Sequence, residues 1–324
     1  MNKVLITGGA GCVGSELAAQ LLSRNTSVIV IDNLSSGKME HIEPFRSNPL
    51  FSFVEADLTT PGLLDDHLQG VSVVHHLAAN PDVKFKLGDP TDKDLKQNVL
   101  VTYNVLESMR KLGVRRLAFS STSAIYGIAE VLPIPETYAG SPISLYGASK
   151  LGCEALISAF RNLFEMDCYI FRFANIVGSR IRKTGGTVIG DFAARLAENP
   201  KELLILGNGK QQKSYLLNEE CVEAMLFALD HAGPGLHTFN LGCDDSISVQ
   251  RIAEKVVEGM GLSNVTYRYS GGEGGWLGDV PRFQLDVSKI NHLGWKAKHN
   301  SEQAIGSAIE TTLRAMNLHP SCKP

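Results

Sequence analysis

The order of apolar runs predicts an α/β fold: a doubly wound parallel sheet with helices on both faces, and a smaller α/β lobe in the C-terminal part. Three observations carry this. Short β-branched runs alternate with helix-period segments through the first half of the chain. A glycine-rich turn directly follows the first run. After about Ala174 the rhythm breaks into glycine-rich loops, short strands and separate helices.

Residues 4–6, 28–31, 51–54, 71–76, 117–120 and 168–173 read as short buried strands. Between them, Leu17, Leu21 and Leu22, and then Val101, Val105, Leu106 and Met109, recur at helical spacing. Beyond Ala174 come a helix near 191–198, an apolar run at 203–206 and a turn at 207–209. A loop at 271–278 holds five glycines among eight residues, and 283–287 reads as another strand. A strand at 237–241 and a helix at 249–260 are expected to return to the main sheet. The expected division is 1–174, with that returning pair, and 175–324 as mainly the second lobe.

Composition narrows the function classes. Of 324 residues, 44% are hydrophobic and 20% charged, which is ordinary globular usage and excludes a disordered or collagenous chain. The net charge of −3 gives no basic surplus for nucleic-acid binding. No apolar run is long enough to span a membrane or to form a signal-peptide core, so a cytoplasmic location is expected. The six cysteines show no C-x-x-C pair and are expected as thiols, with no disulfide framework and no metal site. His75 and His76 are adjacent on a strand and point to opposite faces, so they cannot chelate one metal together.

The turn after the first strand reads Thr7-Gly8-Gly9-Ala10-Gly11-Cys12-Val13-Gly14. Glycines at 8, 11 and 14 permit a tight turn, close approach of a pyrophosphate and helix-on-sheet packing, while the helix N-terminus offers N–H groups to the anion. Asp32 ends the second strand, eighteen residues past Gly14, where a carboxylate accepts both ribose hydroxyls and repels a 2′-phosphate. The pattern is that of a Rossmann dinucleotide site selecting NAD over NADP. Asp57-Leu58 and Leu77-Ala78-Ala79 follow the third and fourth strands, where later loops reach the same cofactor.

Tyr146 and Lys150 are four residues apart and share one helix face. A phenol is a poor base near neutrality, and a neighbouring ammonium together with a nicotinamide cation favours its ionised form. Ser120-Ser121-Thr122-Ser123 closes the fifth strand at the edge where such sheets bind ligands, and can place a hydroxyl beside the tyrosine.

With these segments go Asn33-Leu34-Ser35-Ser36-Gly37, His76, Asn98-Val99, Ala124-Ile125-Tyr126-Gly127, Arg172-Phe173-Ala174-Asn175 and Gly278-Asp279-Val280-Pro281. Together, over nearly the whole chain, the sequence resembles the extended short-chain dehydrogenase/reductase family, and within it the nucleotide-sugar epimerase branch. The resemblance implies that NAD is held by Gly8, Gly11, Cys12, Val13, Gly14, Asp32, Asn33, Ser35, Ser36, Gly37, Asp57, Leu58, Leu77, Ala78, Ala79, Asn98, Ser120, Tyr146, Lys150, Phe173 and Ala174. It further implies that Tyr146 removes the proton of a sugar 4-hydroxyl while hydride passes to NAD. Thr122 holds the same oxygen and Lys150 the nicotinamide ribose, and the 4-keto sugar turns over before it is reduced again. Family members that dehydrate or decarboxylate carry an acid beside the catalytic hydroxyl. Here Ser123 and Ala124 follow Thr122, which leaves epimerisation or simple reduction.

On the substrate side the resemblance implies a nucleotide-diphosphate sugar, a UDP-hexose for preference. Its contacts are Thr122, Tyr146, Asn175, Thr187, Val188, Leu204, Ile205, Leu206 and Asp279. The diphosphate-binding arginines usual in the branch are replaced by Lys213 and Trp276, with Arg180, Arg182 or Lys183 as substitute cations. Phe283 falls where the family sets the width of the sugar pocket, and Cys12 where it usually has phenylalanine. A homodimer through helices 99–109 and 151–164 is implied as well. UDP-glucuronate epimerisation, 4-ketosugar reduction and a non-catalytic NAD-binding role remain as alternatives.

Overall fold

Along β1 (Lys3–Thr7), Val4 and Ile6 enter one apolar core and Leu5 enters another, because successive side chains of a strand point to opposite faces. In β2 (Ser27–Asp32) the same alternation sends Val28 and Val30 to the first core and Ile29 and Ile31 to the second. Strands buried on both faces need a layer of helices on each side. The computed structural model, which describes residues 2–85, 88–179, 187–276 and 278–322, supplies them. α1 (Cys12–Ser23) closes the first core through Leu17, Ala18 and Leu21. After the short α2 (Met39–Ile42), α3 (Val101–Leu112) and α4 (Leu145–Phe164) close the second through Val105, Met109, Cys153 and Ile157.

β3 (Phe51–Glu55), β4 (Val73–His76), β5 (Arg116–Thr122), β6 (Asp167–Phe173) and the late β11 (Leu236–Leu241) complete a seven-stranded sheet in the order β11-β6-β5-β4-β1-β2-β3. Every pairing in it is parallel. The winding reverses between β1 and β4, and a crevice opens there at the carboxyl ends of the strands.

The second lobe is assembled from short pieces. β7 (Asn175–Val177) pairs with β10 (Tyr215–Leu217), and β8 (Glu202–Ile205) with β13 (Thr266–Tyr269). β9 (Gln212–Lys213) lies between β12 (Ile247–Ser248) and β14 (Arg282–Phe283). α5 (Val188–Glu198), α7 (Val249–Gly259) and α9 (Ser301–Ala315) close a third core around Phe192, Leu196, Ile252, Val256, Ile305 and Ile309.

Two expectations are corrected. Of the pair expected to return to the main sheet, only the strand does: β11 pairs with β6, whereas α7 packs in the third core, its start pinned by the β12–β9 pairing of Ile247 with Lys213. The helix that does cover the sheet beside α1 is α6 (Asn218–His231), through Cys221, Val222, Met225 and Leu229. The strand expected at 283–287 is reduced to Arg282–Phe283, and Leu285 instead bridges to Ile134; α8 (Ser288–Leu293) follows. No described helix is long and apolar enough to cross a membrane. Among the described residues no group of three or more His, Cys, Asp or Glu could hold a metal ion.

Candidate active site

The glycine turn is dictated by space. A Cβ on Gly8, whose φ is +71°, would stand 2.6 Å from the Ala78 nitrogen, and one on Gly14 would stand 2.4 Å from the Gly8 oxygen. Only glycine lets α1 begin this close to the β4 loop. Thr7 ties the two loops together: its hydroxyl accepts from the Ala78 N–H at 3.2 Å and meets His76 Nδ1 at 2.7 Å.

At the end of β2, the Asp32 carboxylate accepts N–H bonds from Ala10 at 2.9 Å and Leu34 at 2.8 Å, one on each oxygen. Burial raises its pKa, against the pull of those two bonds. Each oxygen keeps acceptor capacity for a ribose hydroxyl. Gly37 serves Asp32 from behind, since a Cβ there would stand 2.9 Å from both carboxylate oxygens. Asp57 is held below its usual range by the Thr59 N–H and hydroxyl, and it also accepts from Asn33.

The cleft above this floor is lined by Gly8, Gly11, Cys12, Val13, Gly14, Asp32, Asn33, Ser35, Ser36, Asp57, Leu58, Leu77, Ala78, Ala79, Ser120, Tyr146, Lys150 and Phe173. Ser121, from the hydroxyl segment singled out in the sequence, lines it as well; so do Ile31, Ala56, Thr59, Pro81, Gln97 and Val101, which the sequence reading does not assign to the site. Motif spacing marks turns and charged ends, whereas these residues enter through their neighbours' geometry. Three expected residues stand off the cleft, Gly37 behind Asp32 among them. Ala174 is in the first core, its N–H on the Leu241 oxygen. Asn98 is a buried brace, accepting from the Asn80 N–H and donating to Ser149 Oγ, each at 2.8 Å. Ser149 in turn donates to the Tyr146 carbonyl at 2.8 Å.

Ser144 caps α4 by accepting from the Gly147 N–H at 3.1 Å, which sets Tyr146 in the first helical turn and Lys150 one turn on. The Tyr146 phenol stands close to the Thr122 side chain at the end of β5, whose hydroxyl accepts from the Ala124 N–H at 3.2 Å. Burial pushes the phenol up to about 12; Thr122 pulls it down, and the Asp94 carboxylate adds to the rise. The expected lowering by Lys150 is not what sets this value. The lysine ammonium instead donates to the Ser120 carbonyl at 2.7 Å and lies 4.6 Å from the Phe119 ring centre. Burial brings Lys150 itself down to about 8.

Beneath these residues runs a buried network that motif spacing does not reveal. Arg172 on β6 bonds Glu154 on α4 at 2.7 Å and 3.1 Å, and donates to the Tyr126 hydroxyl at 2.9 Å. Ser121 donates to the same Glu154 at 2.5 Å, so β5, β6 and α4 are joined at the helix turn that follows Lys150.

A second compartment opens toward the lobe, lined by Asn175, Thr187, Val188, Leu206, Lys213, Trp276 and Asp279 among the expected residues. Lys84, Asp191, Arg195, Gln211 and Tyr215 join them. A third compartment connects the two, sharing Tyr146 with the first and Lys84 with the second. Lys213 and Asp279, expected to meet different parts of a ligand, meet each other: Nζ donates to Oδ1 at 2.5 Å, and Asp279 Oδ2 accepts from the Gly275 N–H at 2.8 Å. Phe283 packs in the first core. In β8, Leu203 and Ile205 turn into the third core while Leu204 faces out, its carbonyl bonded to Arg195 at 2.6 Å; only Leu206 reaches the cleft. Arg180, Arg182 and Lys183 lie outside the described residues.

Residues 4–242 match the family model described as "NAD dependent epimerase/dehydratase family". The chain belongs to that family. Among its relatives in the epimerase/dehydratase family is a UDP-glucose 4-epimerase of Mycolicibacterium smegmatis, 30% identical over 95% of this chain and 97% of the relative. A UDP-glucuronic acid decarboxylase of Arabidopsis thaliana is 35% identical over 91% of this chain and 66% of the relative. The crystal structure of a Thermus thermophilus UDP-glucose 4-epimerase in complex with NAD is 28% identical and superposes with a TM-score of 0.84 over 96% of this chain and 98% of that one. The chain is an NAD-dependent member of the family, and the site fits the cofactor. Side-chain-free glycines stand where a pyrophosphate approaches α1, Asp32 has acceptors for a ribose, and a lysine flanks the tyrosine.

Proposed function

We propose that this chain is a nucleotide-sugar 4-epimerase that interconverts UDP-glucose and UDP-galactose. The observation that carries this reading is the place of Tyr146, close to Thr122 and lining both the cofactor cleft and the compartment that leads on to the lobe. A sugar hydroxyl entering there meets a base and a second hydroxyl on one oxygen. Bound NAD supplies reversible acceptance of a hydride from the sugar carbon. Tyr146 takes the hydroxyl proton and returns it, and Thr122 holds the oxygen throughout. Lys150, anchored on the Ser120 carbonyl, faces the cofactor cleft beside the tyrosine.

Ser123 and Ala124 offer no carboxyl group beside Thr122, which supports epimerisation over elimination or decarboxylation. The uronate relative favours UDP-glucuronate as a second substrate to test. Proton NMR of the purified protein with UDP-glucose and no added cofactor tests the reading: anomeric signals of UDP-galactose are expected. Unchanged UDP-glucose, with conversion of UDP-glucuronate, would move the assignment to the second substrate.

We propose also that the protein is a homodimer through α3 and α4. Leu163 is 72% exposed, and Tyr103, Leu100 and Phe164 are exposed beside it on these helices and the turn before α3. Light scattering at twice the chain mass is the expected result, and a single-chain mass would exclude it.

A further inference from the structure

Lys84, on the loop after β4, stands where two compartments join. It lines the one that holds Tyr146 and the one that holds Lys213, Trp276 and Asp279. Its ammonium lies 4.9 Å from the centre of the Trp276 ring and 3.6 Å from Asp191 Oδ2, at the start of α5. The Lys213 ammonium lies 4.7 Å from the centre of the same ring. One indole therefore carries two cations, one from the Rossmann sheet's loop and one from the lobe, and each has a carboxylate partner.

The two ion pairs are unequal. Lys213–Asp279 is a short bond between side chains 11% and 2% exposed, and the second Asp279 oxygen is fixed by a backbone N–H. Lys84–Asp191 is a single contact longer than a hydrogen bond, between side chains 36% and 22% exposed. A partly exposed pair of that kind contributes little, so exchanging its anion costs little. A phosphate oxygen offers the ammonium a shorter, charge-assisted bond.

The order of groups along the cleft decides which anion. A nucleotide sugar runs from sugar through diphosphate to nucleoside. With the sugar against Tyr146 and the nucleoside in the lobe, the lysine at the junction meets the diphosphate. We propose that Lys84 is a diphosphate-binding residue, working with Lys213 across Trp276, and that Asp191 is the counter-ion it exchanges for the substrate. This rests on the nucleotide-sugar reading above.

The test is calorimetric titration of the NAD-loaded protein with UDP. Lys84→Met is expected to weaken UDP about tenfold, the loss of one charge-assisted contact, and Lys84→Arg to recover most of it. Asp191→Asn is expected to tighten UDP severalfold, because it removes the competing anion. The opposite signs matter: if Lys84 and Asp191 merely latched the loop to the lobe, both variants would weaken UDP together, and that result overturns the proposal. Unchanged affinity in Lys84→Met overturns it too, while leaving the nucleotide-sugar reading intact. If the unaltered protein binds none of UDP, dTDP and GDP, the reading and the proposal fall together.

Discussion

The phenol of Tyr146, in the first turn of α4, stands beside the side chain of Thr122, the last residue of β5. Thr122 favours the ionised phenol, against a burial that pushes it up to about 12. Removing the hydroxyl therefore raises the phenol's pKa. Thr122→Val should lower kcat by about 10–100-fold and shift the rising limb of the kcat against pH profile to higher pH. Tyr146→Phe should abolish turnover while NAD stays bound. A pH profile with an unmoved limb in Thr122→Val would separate Thr122 from the proton transfer.

Acid should unfold the protein through two buried histidines. Burial holds His75 and His76 down at about 3, against an ordinary value of 6.5. Between those values the unfolded chain binds protons that the folded chain refuses. Stability is therefore fully present above about pH 6.5 and is lost as pH falls toward 3, by up to about 1.4 kcal/mol per pH unit for each histidine. Denaturant titrations at pH 7 and pH 5 check this, and His75→Gln should flatten the dependence.

Breaking the Arg172–Glu154 pair should be costly. Both side chains are nearly buried, at 11% and 8% exposure, and deleting one leaves the other's charge uncompensated. Arg172→Met is expected to cost about 3–5 kcal/mol in urea unfolding. Replacing both residues with apolar ones should cost less than the single change.

Gly14→Ala tests the close approach in the first turn. Its methyl would stand 2.4 Å from the Gly8 oxygen and 2.7 Å from the Gly9 Cα, both parts of the backbone. The turn must open, at a cost of about 1–3 kcal/mol, and NAD should be lost on gel filtration. The NAD released per chain by denaturation, read by absorbance, gives the answer.

The cofactor half of the site was legible because each of its elements is local. A strand, a glycine turn and an acid eighteen residues on are read from one stretch of chain, and the parallel sheet that orders such stretches has few alternatives. The lobe half depends on pairings between short, distant pieces. Lys213 meets Asp279 across 66 positions, and β14 is two residues long, too short for alternation to reveal that Phe283 faces the core. The Tyr146–Lys150 spacing fixed a shared helix face but not where the ammonium points; that depends on the Ser120 carbonyl, 30 residues away.

The late arrival of β11 has a bearing on how the chain is made. Until residue 236 leaves the ribosome, β6 is the outermost strand and its free edge presents unpaired N–H and C=O groups to solvent. α6 precedes β11 directly, so the helix that covers this end of the sheet and the strand that pairs with β6 are delivered together. A shortened chain ending at 174 would keep six of the seven strands yet leave β6 without its outer partner and the first core without α6. Such a fragment is expected to aggregate during synthesis, and a chaperone that shields strand edges would be needed longest between residues 173 and 236.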